Sequence, residues 1–308
     1  MSDAPVIDPA AAAEPVAAKT QLPARPPGGA AGPVGRYYDA STRRFLALGG
    51  SGASLAIHRG LWAPGTADAA AAADRINALI VARLAAAGRP VPGRLRDLGC
   101  GVGGSLFHFA RAWPAARLEG VTLSPRQAAM ARGFAGDRGL GDRCTIRCAD
   151  FLTDPGRPVD LAVAIESHVH APSAAAFLAA ARAGLASGGA LVIVDDMLAR
   201  PEAGMSASER RLIARFRRGW HLGHVPDAAG LAAAARSAGF APLFDEDLTA
   251  LLRLDRWRDR ALRGAAPVAD ALGLGRWPLF SNMIGGNALT NAYRRGLMRY
   301  RLAAFVAP

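Results

Sequence analysis

Between Gly93 and Asp196 the chain alternates short apolar runs with helical segments, and that alternation admits few folds. RLRDLG (94–99), ARLEGVTL (116–123), CTIRC (144–148), VDLAVAI (159–165) and ALVIVDD (190–196) read as strands, with helices expected at about 103–112, 124–138 and 173–186. Strands joined by helices at this interval predict an α/β fold with a parallel sheet covered on both faces. Upstream, residues 67–87 carry Ala71, Ile76, Leu79, Ile80 and Leu84 at helical spacing, and Gly88 and Pro90 stop that helix. Beyond residue 200 an arginine-rich helix at about 206–219 and a second at about 226–238 precede a strand at 239–248. More helix follows to about 298, then a last strand at 299–306. The expected division is a disordered tail over 1–35, a helical segment over 36–92, the sheet core over 93–199, and over 200–308 a helical cap with the last two strands.

A hydrophobic fraction of 51% with 20% charged residues suits a packed interior. Cys100, Cys144 and Cys148 are too few for a disulfide framework and have no zinc-ligand spacing, so a reducing cytoplasm and no structural metal are expected. The formal charge of +12 rests almost wholly on arginine, Lys19 being the only lysine, and the excess sits mainly beyond residue 200. With no basic stripe interleaved with aromatics, a nucleic-acid partner is not expected. No run of about 20 apolar residues is present, so no membrane span is expected either. A homo-oligomer is compatible with the sequence.

The sharpest local signal is RDLGCGVGG (96–104), a turn from the first core strand into a helix. Gly99, Gly101 and Gly104 fit the GxGxxG spacing of dinucleotide sites, whereas Gly99, Gly101 and Gly103 fit the GxGxG spacing of methyltransferases. Either use lets the backbone approach a cofactor closely. Asp97, two residues earlier, suits a ligand ammonium and would repel a pyrophosphate. The second strand ends in Val121-Thr122-Leu123-Ser124 without the acid that a nicotinamide ribose requires. Asp150 closes the third strand in position for an adenine amino group, and Phe151 beside it can cover the ring. Taken singly, Asp97 also reads as a strand-end cap, Asp150 as a turn residue and the glycines as turn formers.

The set DLGCGVGG (97–104), VTLSPRQ (121–127), IRCADF (146–151) and IESHVHAP (165–172) resembles the class I S-adenosylmethionine (SAM)-dependent methyltransferases. Within them it is most similar to the branch of sterol, tocopherol-type and prenyl-diphosphate methyltransferases and cyclopropane fatty acid synthases. The resemblance implies a Rossmann-like class I methyltransferase fold that binds SAM, with Thr122 and Gln127 taking over the ribose contact. It also implies Glu166 and His170 as the pair facing the reactive sulfonium; His168 reads as an exposed histidine without a role. YYDASTRRF (37–45) and HRGLWAPG (58–65) resemble the branch's N-terminal lid, which brings Tyr37, Tyr38 and Trp62 towards the acceptor, a small hydrophobic molecule.

Every tyrosine and every tryptophan except Trp113 lies outside 94–198, so the flanking segments are expected to build the acceptor cavity, with Phe216, Trp220, Trp257 and Phe280 as lining residues. Arg211, Arg215 and Arg218 share one helix face. They read either as a solvated face or as a clamp for a diphosphate, the second with Mg2+. The implied function is methyl transfer to an isoprenoid double bond, a prenyl diphosphate favoured. O- or N-methylation of another metabolite and a non-catalytic SAM-binding protein are the alternatives.

Overall fold

Seven strands form one sheet in the order β3-β2-β1-β4-β5-β7-β6. A computed structural model of the chain describes residues 55–254 and 278–308, with Val34, Gly35, Asp39 and Thr42 ahead of them. The strands are β1 (Arg94–Leu98), β2 (Arg117–Thr122), β3 (Cys144–Cys148), β4 (Val159–Ile165), β5 (Leu185–Leu198), β6 (Ala241–Asp247) and β7 (Met298–Val306). β1 to β5 run parallel, and β7 lies antiparallel between β5 and β6. The helices are α1 (Ala69–Ala86), α2 (Gly104–Ala112), α3 (Pro125–Asp137), α4 (Ala174–Ala183), α5 (Ala207–Trp220), α6 (Ala228–Ser237) and α7 (Pro278–Arg294).

Strand alternation sends the two side-chain sets to different layers. Leu95, Leu118, Ile146 and Leu161 join one apolar cluster with Ile76, Ile80, Leu106 and Ala131 of α1, α2 and α3. Leu98, Val121, Ala162 and Leu191 join a second with Phe177 and Leu178 of α4 and Leu231 of α6. The β3–β4 connection, 149–158, is a loop without a helix. Below Leu98 and Val121, β1 to β3 therefore turn Arg94, Arg117, Glu119, Thr145 and Arg147 towards a cleft, while Arg96 on the same face is buried under the β3–β4 loop, donating to the Pro155 and Arg157 carbonyls and pairing with Glu119.

Local signals explain the boundaries. Ser124 caps α3 by accepting from the Gln127 N–H, with Pro125 in the first turn, and Ser206 and Glu209 cap α5 reciprocally. α5 and α7 pack closely because both are glycine at the crossing: a Cβ at Gly219 would lie 2.4 Å from the Gly285 Cα. Two expectations need correction. The helix expected to reach residue 186 ends at Ala183, and β5 starts at Leu185, opposite Val159, before a register shift carries the ladder on to Leu161 and Ala190. Helix α1 packs into the first apolar cluster, and among the described residues of 36–92 it is residues 55–58 that reach the cavity described next.

Candidate active site

The glycine turn lies at the carboxyl ends of the strands, where open α/β sheets bind ligands. Gly99 (φ +109°), Gly101 (φ +56°) and Gly103 (φ +95°) all adopt left-handed backbone. At Gly99 the space is closed as well, since a Cβ would come within 2.5 Å of the Ser167 Cβ. The Gly99 and Cys100 N–H groups both donate to the Val121 carbonyl at 2.9 Å, tying the turn to β2. The turn forms one wall of a cavity that also touches Asp97, Thr122, Gln127, Phe151, Glu166, His170 and Trp220.

Asp97 is 3% exposed, and burial pushes its carboxyl up to about 7. No cation among the described residues offsets that burial, so the site favours a positively charged ligand group at this oxygen pair. Thr122 donates to Gln127 Oε1 at 2.7 Å, and Gln127 Nε2 donates to Thr42 at 3.0 Å, which fixes the amide against the cavity wall. Phe151 stands edge-on to Phe177, ring centroids 5.7 Å apart. Asp150 does not reach the cavity; its Oδ1 accepts from the Leu152 N–H at 2.9 Å, a turn-closing bond. Gly103 underlies the first turn of α2, where a Cβ would meet the Phe107 ring at 2.7 Å.

Glu166 follows β4 with φ +51°, a left-handed conformation that costs a non-glycine residue about 1–2 kcal/mol. Its own N–H is held by the Val194 carbonyl at 2.8 Å. Oε1 accepts two hydrogen bonds, from the Arg59 main-chain N–H and from the Tyr300 hydroxyl, each at 2.8 Å. Behind it, Arg59 Nη2 reaches Asp196 Oδ2 at 3.4 Å, and the Tyr293 hydroxyl donates to Asp196 Oδ1. Arg59 also lies over the Tyr293 ring, 5.6 Å from its centroid. Two donors thus hold one carboxylate oxygen at the cavity wall, Asp196 and Tyr293 supporting Arg59 from behind, and Oε2 has no hydrogen-bond partner among the described residues. Arg59 lies in the expected lid segment, and Tyr293 and Tyr300 in the flanking segments expected to build the acceptor cavity, but their grouping with Asp196 around Glu166 was not expected from the sequence. The one signal that could have pointed to them is the Asp195-Asp196 pair ending an otherwise apolar strand.

His170 reaches the cavity, and burial lowers its imidazole to about 4. His168 corrects the sequence reading. It is fully buried, with Nδ1 2.7 Å from Asp195 Oδ2 and its ring 5.2 Å from that of His224. Burial lowers His168 to about 3 and raises Asp195 well above its ordinary value, so burial pushes both partners towards their neutral forms.

Trp220 lies in the cavity wall, whereas Phe216 is buried in the first apolar cluster and Phe280 is half-buried on α7. Trp62 lies outside the cavity, with the Arg253 guanidinium 3.6 Å from its ring centroid. Arg211, Arg215 and Arg218 are exposed and do not touch the cavity. Tyr37, Tyr38 and Trp257 lie outside the described residues. Among the described residues no group of three or more His, Cys, Asp or Glu is placed to hold a metal ion, and no helix is long and apolar enough to cross a membrane.

Residues 96–189 match the family model of a methyltransferase domain. Trans-aconitate 2-methyltransferase of Streptomyces avermitilis is 39% identical over 101 residues, which are 32% of this chain and 38% of that protein. A probable chloroplastic tocopherol O-methyltransferase of Oryza sativa subsp. japonica is 33% identical over 105 residues, 33% of this chain and 29% of that protein. The matched segment thus spans well under half the length of either relative. A geranyl diphosphate methyltransferase solved with GPP and sinefungin superposes with a TM-score of 0.69 at 21% identity, covering 89% of this chain and 98% of that one, a likeness of fold.

Proposed function

We propose that this chain, a class I SAM-dependent methyltransferase by its domain and fold, transfers a methyl group from SAM to a carbon of an isoprenoid double bond. The observation that carries the cofactor reading is Asp97, a buried carboxylate without a counter-charge set beside a glycine turn that side chains would fill. Asp97 would hold the ammonium of the methionine part. Gly99 and Gly101 would admit the ligand against the backbone, Gln127 and Thr122 would meet the ribose, and Phe151 would cover the adenine. Bound SAM would supply an electrophilic methyl group.

The acceptor reading rests on Glu166. Its Oε1 is engaged by Arg59 and Tyr300, so the second oxygen can face positive charge that develops on the acceptor, and Trp220 adds a ring face to the same cavity. His170, held neutral by burial, can accept the departing proton. No arginine or lysine stands among the described lining residues, so the proposal concerns the hydrocarbon end of the acceptor and not a diphosphate head. O-methylation is the second reading, favoured by the same neutral His170, which could deprotonate a hydroxyl.

The test is incubation with methyl-labelled SAM and a panel of prenyl diphosphates, prenyl alcohols, sterols, tocopherol precursors and phenols. A product with its label on carbon supports the proposal. Label on oxygen selects the second reading, and no product from any acceptor removes both.

A further inference from the structure

The sheet face bordered by the β3–β4 loop carries a feature that the cavity chemistry does not use. At the amino ends of β1 to β4 it forms a cleft of about 560 Å3, lined by five arginines against Glu119 and Asp142. Two of the arginines are engaged. Arg147 pairs with Glu119 and Asp154, and Arg143 donates to the Ala110, Trp113 and Ala116 carbonyls at the end of α2. The other three, Arg94, Arg117 and Arg157, have no acidic side chain within ion-pair distance among the described residues.

Arg94 and Arg117 are register partners on neighbouring parallel strands, about 4.8 Å apart in backbone spacing, and their side chains share one face. Like charges so placed repel unless an anion lies between them. Arg94 Nε is also sealed from solvent without a partner, which buried polar atoms seldom tolerate. Elsewhere partly exposed arginines meet an acid, as Arg83 meets Glu246 and Arg301 meets Asp245, or a carbonyl, as Arg132 meets that of Ile146, whereas the side chains of Arg94, Arg117 and Arg157 meet neither among the described residues.

We propose that this cleft is a second binding site, for a small phosphate-bearing anion clasped by Arg94, Arg117 and Arg157 at the opposite edge of the sheet from the SAM cavity. Guanidinium groups bind phosphate through paired N–H donors, and three from two strands and a loop give the fork several orientations. The cleft is bounded, and Glu119 and Asp142 interrupt its charge, so it suits a compact ligand better than a nucleic-acid backbone, which needs an extended basic track.

The test is calorimetric titration of the full chain with inorganic pyrophosphate at low ionic strength. Saturable binding is expected, weakened at least about tenfold in Arg94→Gln/Arg117→Gln and by added salt, with the affinity for S-adenosylhomocysteine (SAH) unchanged. Arg157→Gln, on a loop outside the strands, should weaken binding in the same direction and covers the case in which the double variant fails to fold. Arg215→Gln/Arg218→Gln on α5 should bind as the unaltered chain does. Absence of saturable binding overturns the proposal, as does equal affinity in Arg94→Gln/Arg117→Gln and Arg157→Gln. Displacement of pyrophosphate by SAH overturns it too, and so does a single-stranded oligonucleotide that binds more tightly and is lost in the same variants.

Discussion

The two ends of the parallel strands differ in the sign of what they gather. At the carboxyl ends stand Asp97, Glu166, Asp195 and Asp196, mostly buried, with burial raising the Asp97 and Asp195 carboxyls and Arg59 lying beside Glu166 and Asp196. At the amino ends stand arginines that outnumber their acids. A net charge of +12 therefore says nothing about the cavity, which is acidic inside a basic protein. Sign and burial at one edge are better guides to a ligand than the sum over the chain.

The largest effect expected at the acidic edge is on chemistry. Glu166→Gln should lower turnover about 100-fold or more with SAH affinity near that of the unaltered chain, checked by initial rates with whichever acceptor the panel selects beside calorimetry with SAH. Full turnover would return Glu166 to the strand-end loop acids. Next comes Asp97→Ala, which should weaken SAH binding by about 1.5–3 kcal/mol by removing a charged acceptor from the ammonium. Unchanged affinity by calorimetry would take Asp97 out of the site.

A third contrast is with pH. The Asp97 carboxyl lies near 7 in the folded chain, above its unfolded value of 3.8, so folding favours its protonated form. Its contribution to stability is fully present below about 4 and is lost as pH rises through 7, reaching about 4 kcal/mol of relative destabilisation. A ligand ammonium needs the ionised form, so SAH should bind up to about tenfold more tightly per pH unit between pH 5 and 7, then level off. Thermal shift by SAH across that range checks it, and Asp97→Asn should flatten the rise. The smallest effect concerns α5: charge reversal at Arg211 and Arg218 should move stability by less than about 0.5 kcal/mol, as on a solvated face, and leave KM for the acceptor unchanged. A tenfold rise in KM would bring the arginine face back to the acceptor.

The sequence made the ladder of strands legible because each run is short, apolar and bounded by turn residues. It failed at Leu185, where Ser187-Gly188-Gly189 looks like a loop yet lies within β5 beside a shifted register. Asp97, the glycines and Glu166 were legible because all lie within a few residues of strand ends that topology brings together. The clasp around Glu166 was not. Arg59, Asp196, Tyr293 and Tyr300 are separated by up to 241 positions, and beyond the Asp195-Asp196 pair nothing local marks their grouping. His168 misled for the same reason, its partner Asp195 being 27 residues away.

The strand order has a consequence for synthesis. β7 follows both β5 and β6 along the chain, yet it lies between them in the sheet, and Tyr300 within it holds Glu166. While a nascent chain is being made, β5 and β6 wait with open backbone edges, and the carboxylate wall lacks one of its two donors. A ribosome that stalls before Met298 would release a polypeptide able to form the glycine turn but not to finish the acceptor side, with a bare edge of the kind that recruits other chains.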